Sequence, residues 1–334
     1  MNGLKKLCAL TSLGVAWSML TGCGNEAKQV SSSSLNAIYQ QGLAHLNNDG
    51  GDKNPEAAFN LFKEAADAGH AGAMLELSTC YMYGTGTDAN PTLAYGWIDK
   101  AANAGNTKAK AFRALFLMQG IGTAANPNEA IRQLTEESGK GNEHAMGILA
   151  SFYESGVGVP QDLAKAFELH RKAAEKGNAD SMYFVGRCFI KGSAGVEENP
   201  KAGAEWYRRA SAAGSLEATG KLGACYAMGQ GVEMDEDAAL ELIAKAASGG
   251  DPDSMHNMGV CLERGIGTKK SMEEAVAWYH RAAESGSAEA MYNLAICLEQ
   301  GMGIPKNERE AAEWLQKAAE SGLEVAKSHL GESR

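Results

Sequence analysis

The chain has 334 residues, 44% of them hydrophobic and 22% charged, with 40 glycines, 7 prolines and a formal net charge of -10 at pH 7. An acidic balance of this size argues against nucleic acid or an anionic bilayer surface as the main partner. Length alone suggests two domains of roughly 150 residues, but a sequence that repeats itself grows by addition and is one array.

Residues 1–22 open on Lys5 and Lys6, run through a mostly apolar stretch from Leu7 to Leu20, and end in Thr21-Gly22 ahead of Cys23. A basic start, a short apolar run and small residues describe a processed export signal, shorter than the ~20 residues of a membrane span. Leu20-Thr21-Gly22-Cys23 resembles the lipobox of bacterial lipoproteins. That resemblance implies removal of 1–22 and lipidation of Cys23, and places the protein in the bacterial cell envelope; an ordinary cleaved signal peptide is the alternative. By the sorting rule of some bacterial lipoproteins, Gly24 after the lipidated cysteine implies the outer membrane, facing the periplasm or exported to the surface. Loss of Lys5 and Lys6 leaves the processed chain at -12, down from -10. Residues 23–34 are polar, include the serine run Ser31 to Ser34, and lack an apolar period, as expected of a flexible tether. Contact with a membrane then comes from the lipid alone.

From residue 35 to 331 one theme recurs. The glycine closing an A-A-x-x-G element falls at Gly69, Gly105, Gly141, Gly177, Gly214, Gly250, Gly286 and Gly322, a spacing of 36 residues with a single interval of 37. A second element, G-x-G, recurs as in Gly84-Thr85-Gly86 and Gly265-Ile266-Gly267, and becomes G-x-x-G at Gly192-Ser193-Ala194-Gly195, the source of the extra residue. Such a period indicates stacked supersecondary units.

Within a repeat, the loop after G-x-G ends at a helix-capping residue: Asn54, Asn90, Asn126, Asp162, Asn199, Asp235, Ser271 or Asn307. Pro55, Pro91, Pro127 and Pro200 follow four of them, at the first helical position, where no amide bond is lost. The helix beyond carries a small residue, such as Ala58 or Ala94, and three residues on a large apolar one, often tryptophan: Trp97, Trp206, Trp278, Trp314. This spacing predicts a buried face containing the tryptophan. The double alanine, as in Ala282-Ala283, lets neighbouring helices approach before the glycine stops the helix. In the other helix, counted from Ala290 as 0, small or apolar residues at 0, +1, +4, +5 and +8 share one arc of roughly 140°, at about 100° per residue. Positions +2, +3, +6, +9 and +10 point the other way.

The sequence A-x-x-x-L-G-x-x-Y, G-x-G, a capping Asp or Asn, then A-x-x-W-Y-x-x-A-A-x-x-G resembles the Sel-1-like repeat, a relative of the tetratricopeptide repeat. The resemblance covers eight units plus a truncated helix at Leu323 to Gly331. It implies an all-α fold, a right-handed α-solenoid of eight helix-turn-helix repeats of about 36 residues, used as a protein-binding scaffold. The third repeat departs most: Arg113 stands at a Leu position, and Gln133 and Glu137-Ser138 replace the Trp and the double Ala. It is the expected soft joint. The first repeat has Asn48 for the leading glycine and Gln41 for Leu, as an end unit with one exposed side would.

No residue set reads as catalytic, cofactor-binding or metal-binding. Cys80, Cys188, Cys225, Cys261 and Cys297 all fall at +7, where other repeats carry Ala44, Phe116 and Phe152, so each is expected to act as a small hydrophobe. Equivalent helices about 8–10 Å apart exceed the ~7 Å reach of a disulfide. Some secreted relatives carry paired cysteines in each repeat and are described as penicillin-binding or weakly β-lactam-hydrolysing; the pairing is absent here. Met74, Met146, Met182, Met255 and Met291 at +1 fit core packing better than a soft-metal site. The seven histidines form neither H-E-x-x-H nor H-x-x-x-H, and the glycine loops lack the lysine and hydroxyl of a phosphate loop.

What remains is the inner wall. Tyr39, Leu75, Met82, Met118, Tyr183, Ile190, His256 and Tyr292 are the candidate partner-binding residues, with Phe112 and Phe184 balanced between wall and core. The wall is expected to be apolar in its N-terminal half and more acidic in its C-terminal half, where Glu263 and Glu299 lie, and to take a helix or extended peptide of a protein partner. The expected oligomeric state is a monomer. The alternatives are a β-lactam- or peptidoglycan-interacting hydrolase, suggested only by resemblance, and a passive envelope spacer.

Overall fold

The computed structural model describes residues 32–47 and 53–332. The export signal, Cys23 and Asn48 lie outside the described residues. Helix α1 (Ser32–Asn47) begins three residues inside the stretch expected to be tether.

The described chain is helical throughout its regular structure. After α1 come α2 (Pro55–Asp67), α3 (Ala71–Tyr83), α4 (Pro91–Asn103), α5 (Thr107–Gln119), α6 (Pro127–Gly139), α7 (Glu143–Ser155), α8 (Leu163–Glu175) and α9 (Ala179–Lys191). The array continues with α10 (Pro200–Ala212), α11 (Leu216–Met228), α12 (Glu236–Ser248), α13 (Pro252–Arg264), α14 (Met272–Glu284), α15 (Ala288–Gln300), α16 (Glu308–Glu320) and α17 (Glu324–Glu332). No helix among the described residues is long and apolar enough to cross a membrane.

Odd-numbered helices are the first of each hairpin and even-numbered ones the second. Each packs on its neighbours in sequence, and the pairs of alternate helices in closest contact, α5 with α7 and α11 with α13, are both pairs of first helices. The first helices therefore form the inner row of a curved stack and the second helices the outer row. Every repeat lends its neighbour a dry face, which no hairpin of this size can supply for itself.

Local chemistry accounts for the regularity. All eight expected caps accept from the amide three residues on, as Asn54 does from Ala57 and Asp162 from Lys165. The first helices from α3 to α15 are capped as well, by His70, Asn106, Asn142, Asn178, Ser215, Asp251 and Ser287. At about 1 kcal/mol each, these caps fix where every helix begins. The second glycine of G-x-G has a separate job. A Cβ on Gly122 would lie 1.9 Å from the Pro91 carbonyl oxygen, and one on Gly86 would lie 2.1 Å from that of Pro55, so the loop touches the start of the preceding second helix. At Gly195, in the lengthened loop, a Cβ would meet nothing within 4 Å. The inserted residue lifts that loop away and leaves α9 and α10 at their usual lengths.

In the first helices from α3 to α15 position 0 is dry, as at Ala73, Ala109, Ala218 and Ala290, and so is +4 where it holds Leu77, Val185 or Leu294. In the second helices the tryptophans are not the core residues the spacing predicted. The buried residue is the next one along: Phe62, Ile98, Leu134, His170, Tyr207, Ile243, Tyr279 and Leu315. Four residues after the small residue returns closer to one face than three do. The tryptophans lie half-buried and roofed by the cation three residues on, with Lys100 3.8 Å from the centre of the Trp97 ring, Arg209 4.0 Å from Trp206, Arg281 4.3 Å from Trp278 and Lys317 3.9 Å from Trp314.

The five cysteines at +7 are free and buried, and burial raises every one of their thiol pKa values, those of Cys80 and Cys297 to about 11. They are inert as nucleophiles at neutral pH. Met146, Met182, Met255 and Met291 are buried in the core, as packing residues.

Candidate functional site

The inner row sorts its side chains by position. At +2, Tyr39, Tyr183, His256 and Tyr292 are half-buried and lean on neighbouring elements. The Tyr39 ring lies 4.7 Å from that of His70, Tyr183 stacks on Tyr207 at 5.7 Å, and Tyr292 meets His329 edge-on at 6.1 Å. His256 shares a hydrogen bond of 2.9 Å with Asn293 on the next first helix, which turns these residues into struts between rungs as well as wall. Leu75 is 8% exposed and Met118 9%. Met118 points under the wall, over Gly158, where a Cβ would come within 2.8 Å of its methyl group. Ile190 is half-buried against Gly203. Phe184 is buried, stacked on His170 at 4.1 Å, while Phe112 stays half-exposed to the wall. Glu263 is held by the Tyr279 hydroxyl, which donates to it at 2.6 Å.

Two clefts open on this surface. One, of 490 Å³, lies between α3 and α5 and is lined mainly by Leu75, Met82, Tyr83, Phe112, Leu115 and Phe116, with Glu76 and Lys108 among them. Burial raises the Glu76 carboxyl pKa, with Lys108 the counteracting charge. No described residue hydrogen-bonds Glu76 or lies within ion-pair distance of it. The other cleft, also 490 Å³, lies along the starts of α11, α13 and α15 and is lined by Glu217, Lys221, Asp251, Asp253, Asn257 and Glu289, with Tyr183 and the Gly220 notch. Apolar side chains dominate the lining of the first cleft, and carboxylates that of the second.

Its acidic residues, however, are not those the sequence singled out. They come from position -1, which supplies Asp180, Glu217, Asp253 and Glu289 in four successive repeats, all exposed. The earlier repeats have Gly72, Lys108 and His144 there. Position -1 sits four residues before +3 and eleven before +10, so it belongs to the same helical stripe. The missed signal was a period of 36 in one charge type. Burial, then Asp251, Asp180 and Asp253, raise the Glu217 carboxyl pKa. Lys221 offsets part of the charge through its pair with Asp253 at 2.7 Å. Successive rungs about 10 Å apart repel by only ~0.4 kcal/mol in water, a load the fold carries easily.

Neighbouring rungs are also joined by Arg187 on α9, which donates to Glu154 on α7, and by Glu299 with His329 at 3.6 Å. Among the described residues, no group of three or more His, Cys, Asp or Glu converges in a metal-binding arrangement. The wall offers surface, charge and two clefts.

A family profile described as Sel1 repeat matches residues 36–70, 71–106, 107–132, 143–178, 179–215, 216–251, 252–287 and 288–323. The match is interrupted where α6 departs from the pattern. No curated protein matches the chain. Among solved structures, the chain is similar to a protective antigen of uropathogenic Escherichia coli strains displaying an SLR fold, at 29% identity and a TM-score of 0.55, over 89% of this chain and 64% of that one. The chain thus spans under two thirds of that protein's length. It is also similar in fold to a Sel1 repeat protein from Oxalobacter formigenes, at 24% identity and a TM-score of 0.57, over 92% of this chain and 88% of that one.

Proposed function

The chain belongs to the Sel1 repeat family of protein-interaction scaffolds, and from that premise we propose that it is a bacterial envelope lipoprotein holding a partner polypeptide along the inner row of first helices. One observation carries the proposal: two clefts open on the first helices, one lined by Glu76, Met82, Phe112 and Leu115 and the other by Glu217, Lys221, Asp253, Asn257 and Glu289, while the small and apolar residues at 0 and +5 join the repeats. A solenoid needs an inner wall only to be soluble. This one exposes Tyr83 to 75% at the mouth of the first cleft, beside Met82 and Phe112.

Anchoring rests on the tetrad ending at Cys23 and is tested separately from binding. Cys23→Ser should move the protein from the membrane to the soluble fraction of the native cell, and unchanged membrane association would remove the lipid from the account. For the wall, the double variant Tyr183→Ala, Tyr292→Ala should lose a specific partner in pull-downs from the native envelope while keeping its helical circular dichroism. An unchanged partner list would mean that the wall is not the binding surface.

A further inference from the structure

The two clefts differ in chemistry and lie on one surface, so a segment crossing both must change character along its length. At its N-terminal end the wall offers a mainly apolar slot between α3 and α5, of 490 Å³ and lined by Met82 and Phe112, with the half-buried carboxylate of Glu76 at its side and Lys108, not within ion-pair distance of it, as the counteracting charge. A carboxylate whose pKa burial raises and that no ion pair or hydrogen bond holds still favours a cation brought into contact with it, Lys108 notwithstanding. Three repeats beyond Glu76, the acidic row begins and runs one carboxylate per repeat from Asp180 to Glu289, with Lys221 already paired to Asp253. Negative charge in a first helical turn is favourable by itself, yet the same position holds Gly72, Lys108 and His144 in the earlier repeats, which the helix dipole does not account for.

The spacing selects the shape of the ligand. Neighbouring equivalent helices stand about 8–10 Å apart, and a polyproline-type chain advances roughly 9 Å per turn of three residues, so every third side chain meets a new rung. We propose, on the reading that the inner wall is the docking surface, that its occupant is an extended basic segment of a partner protein. Its large apolar side chain seats between α3 and α5 next to a Lys or Arg that pairs with Glu76. Further Lys or Arg residues, one in three, follow along Asp180, Glu217, Asp253 and Glu289.

The test uses the full processed chain and a fluorescein-labelled probe peptide: Leu-Phe-Lys, a spacer of about eight residues matching the three repeats from Glu76 to Asp180, then four Lys-Pro-Pro triplets. Anisotropy titration at about 50 mM salt should give a Kd about tenfold or more tighter than that of the same peptide with Glu for every Lys, and the advantage should shrink as salt rises. Glu217→Lys with Glu289→Lys, both at exposed positions, should erase that advantage, and Glu76→Gln should weaken the Lys peptide without changing the Glu peptide. Equal binding of the two peptides, no binding of either, or undiminished binding of the Lys peptide to the charge-reversed protein would overturn the inference. If residues on this wall crosslink in the cell to an acidic or neutral segment, the docking reading stands and the basic ligand falls. If they crosslink to nothing, both fall.

Discussion

His170 occupies the core position that Phe62, Ile98, Leu134 and Ile243 hold in other second helices. It is 4% exposed, its Nδ1 lies 3.0 Å from the Ser181 hydroxyl, and its Nε2 is buried with no partner among the described residues. Burial, with Arg187 adding to it, lowers its pKa from 6.5 to about 4. The unfolded chain therefore binds a proton between pH 6.5 and 4 that the folded one does not, so stability is full above that window and falls as pH drops through it, by about 3 kcal/mol in all. His170→Leu should remove this component: urea midpoints measured at pH 7 and pH 4.5 should move closer together than in the wild type. Equal pH sensitivity in the two proteins would mean that His170 does not carry the shift. Other titrating groups are common to both and cancel in the comparison.

At the scale of elements, α6 is the exception. Where other second helices bury four or five residues, α6 buries Ala130 and Leu134, and polar contacts stand in for the missing apolar ones. Arg113 donates to Asp99 at 2.9 Å and to Gln133 at 3.2 Å, and Lys110 lies 3.8 Å from Glu137. Half-exposed contacts of this kind contribute up to ~1 kcal/mol each, against 1.5–3 kcal/mol for burying one large apolar side chain. The amides of α6 should thus exchange with deuterium about tenfold faster than those of α4 or α8, and slower exchange in α6 than in its neighbours would show the polar network to be the stronger joint. The departure was legible in the sequence, because Gln133 and Glu137 each break a pattern repeated seven other times and Arg113 stands at a position that is apolar in six; their mutual contact was not, since nothing in the chain says that Arg113 on α5 reaches α6. The tryptophans misled for a related reason. Trp97 is larger than Ile98, and size outweighed the better helical phase of the smaller residue, while the cation of Lys100 that roofs the Trp ring formed no part of the pattern.

At the scale of the whole molecule, period and capping chemistry sufficed for the solenoid, because each hairpin repeats the same local instructions and the same debt of unburied surface. The inner wall was only half legible. The sequence located the inner stripe and its change of polarity, but the rows from -1 were hidden behind their ordinary role as first-turn acids, and Met118 could not be told from Met82 without knowing that Gly158 passes beneath it. What distinguishes a scaffold from a spacer is occupancy of that stripe. The direct measurement is photo-crosslinking in the native cell with a benzophenone side chain placed at Gln119 and Asn257 on the inner row, and at Glu205 and Glu313 on the outer one. Discrete adducts with the same partner at both inner positions and none at the outer ones are the expected result; adducts at neither row, or equally at both, would contradict the account.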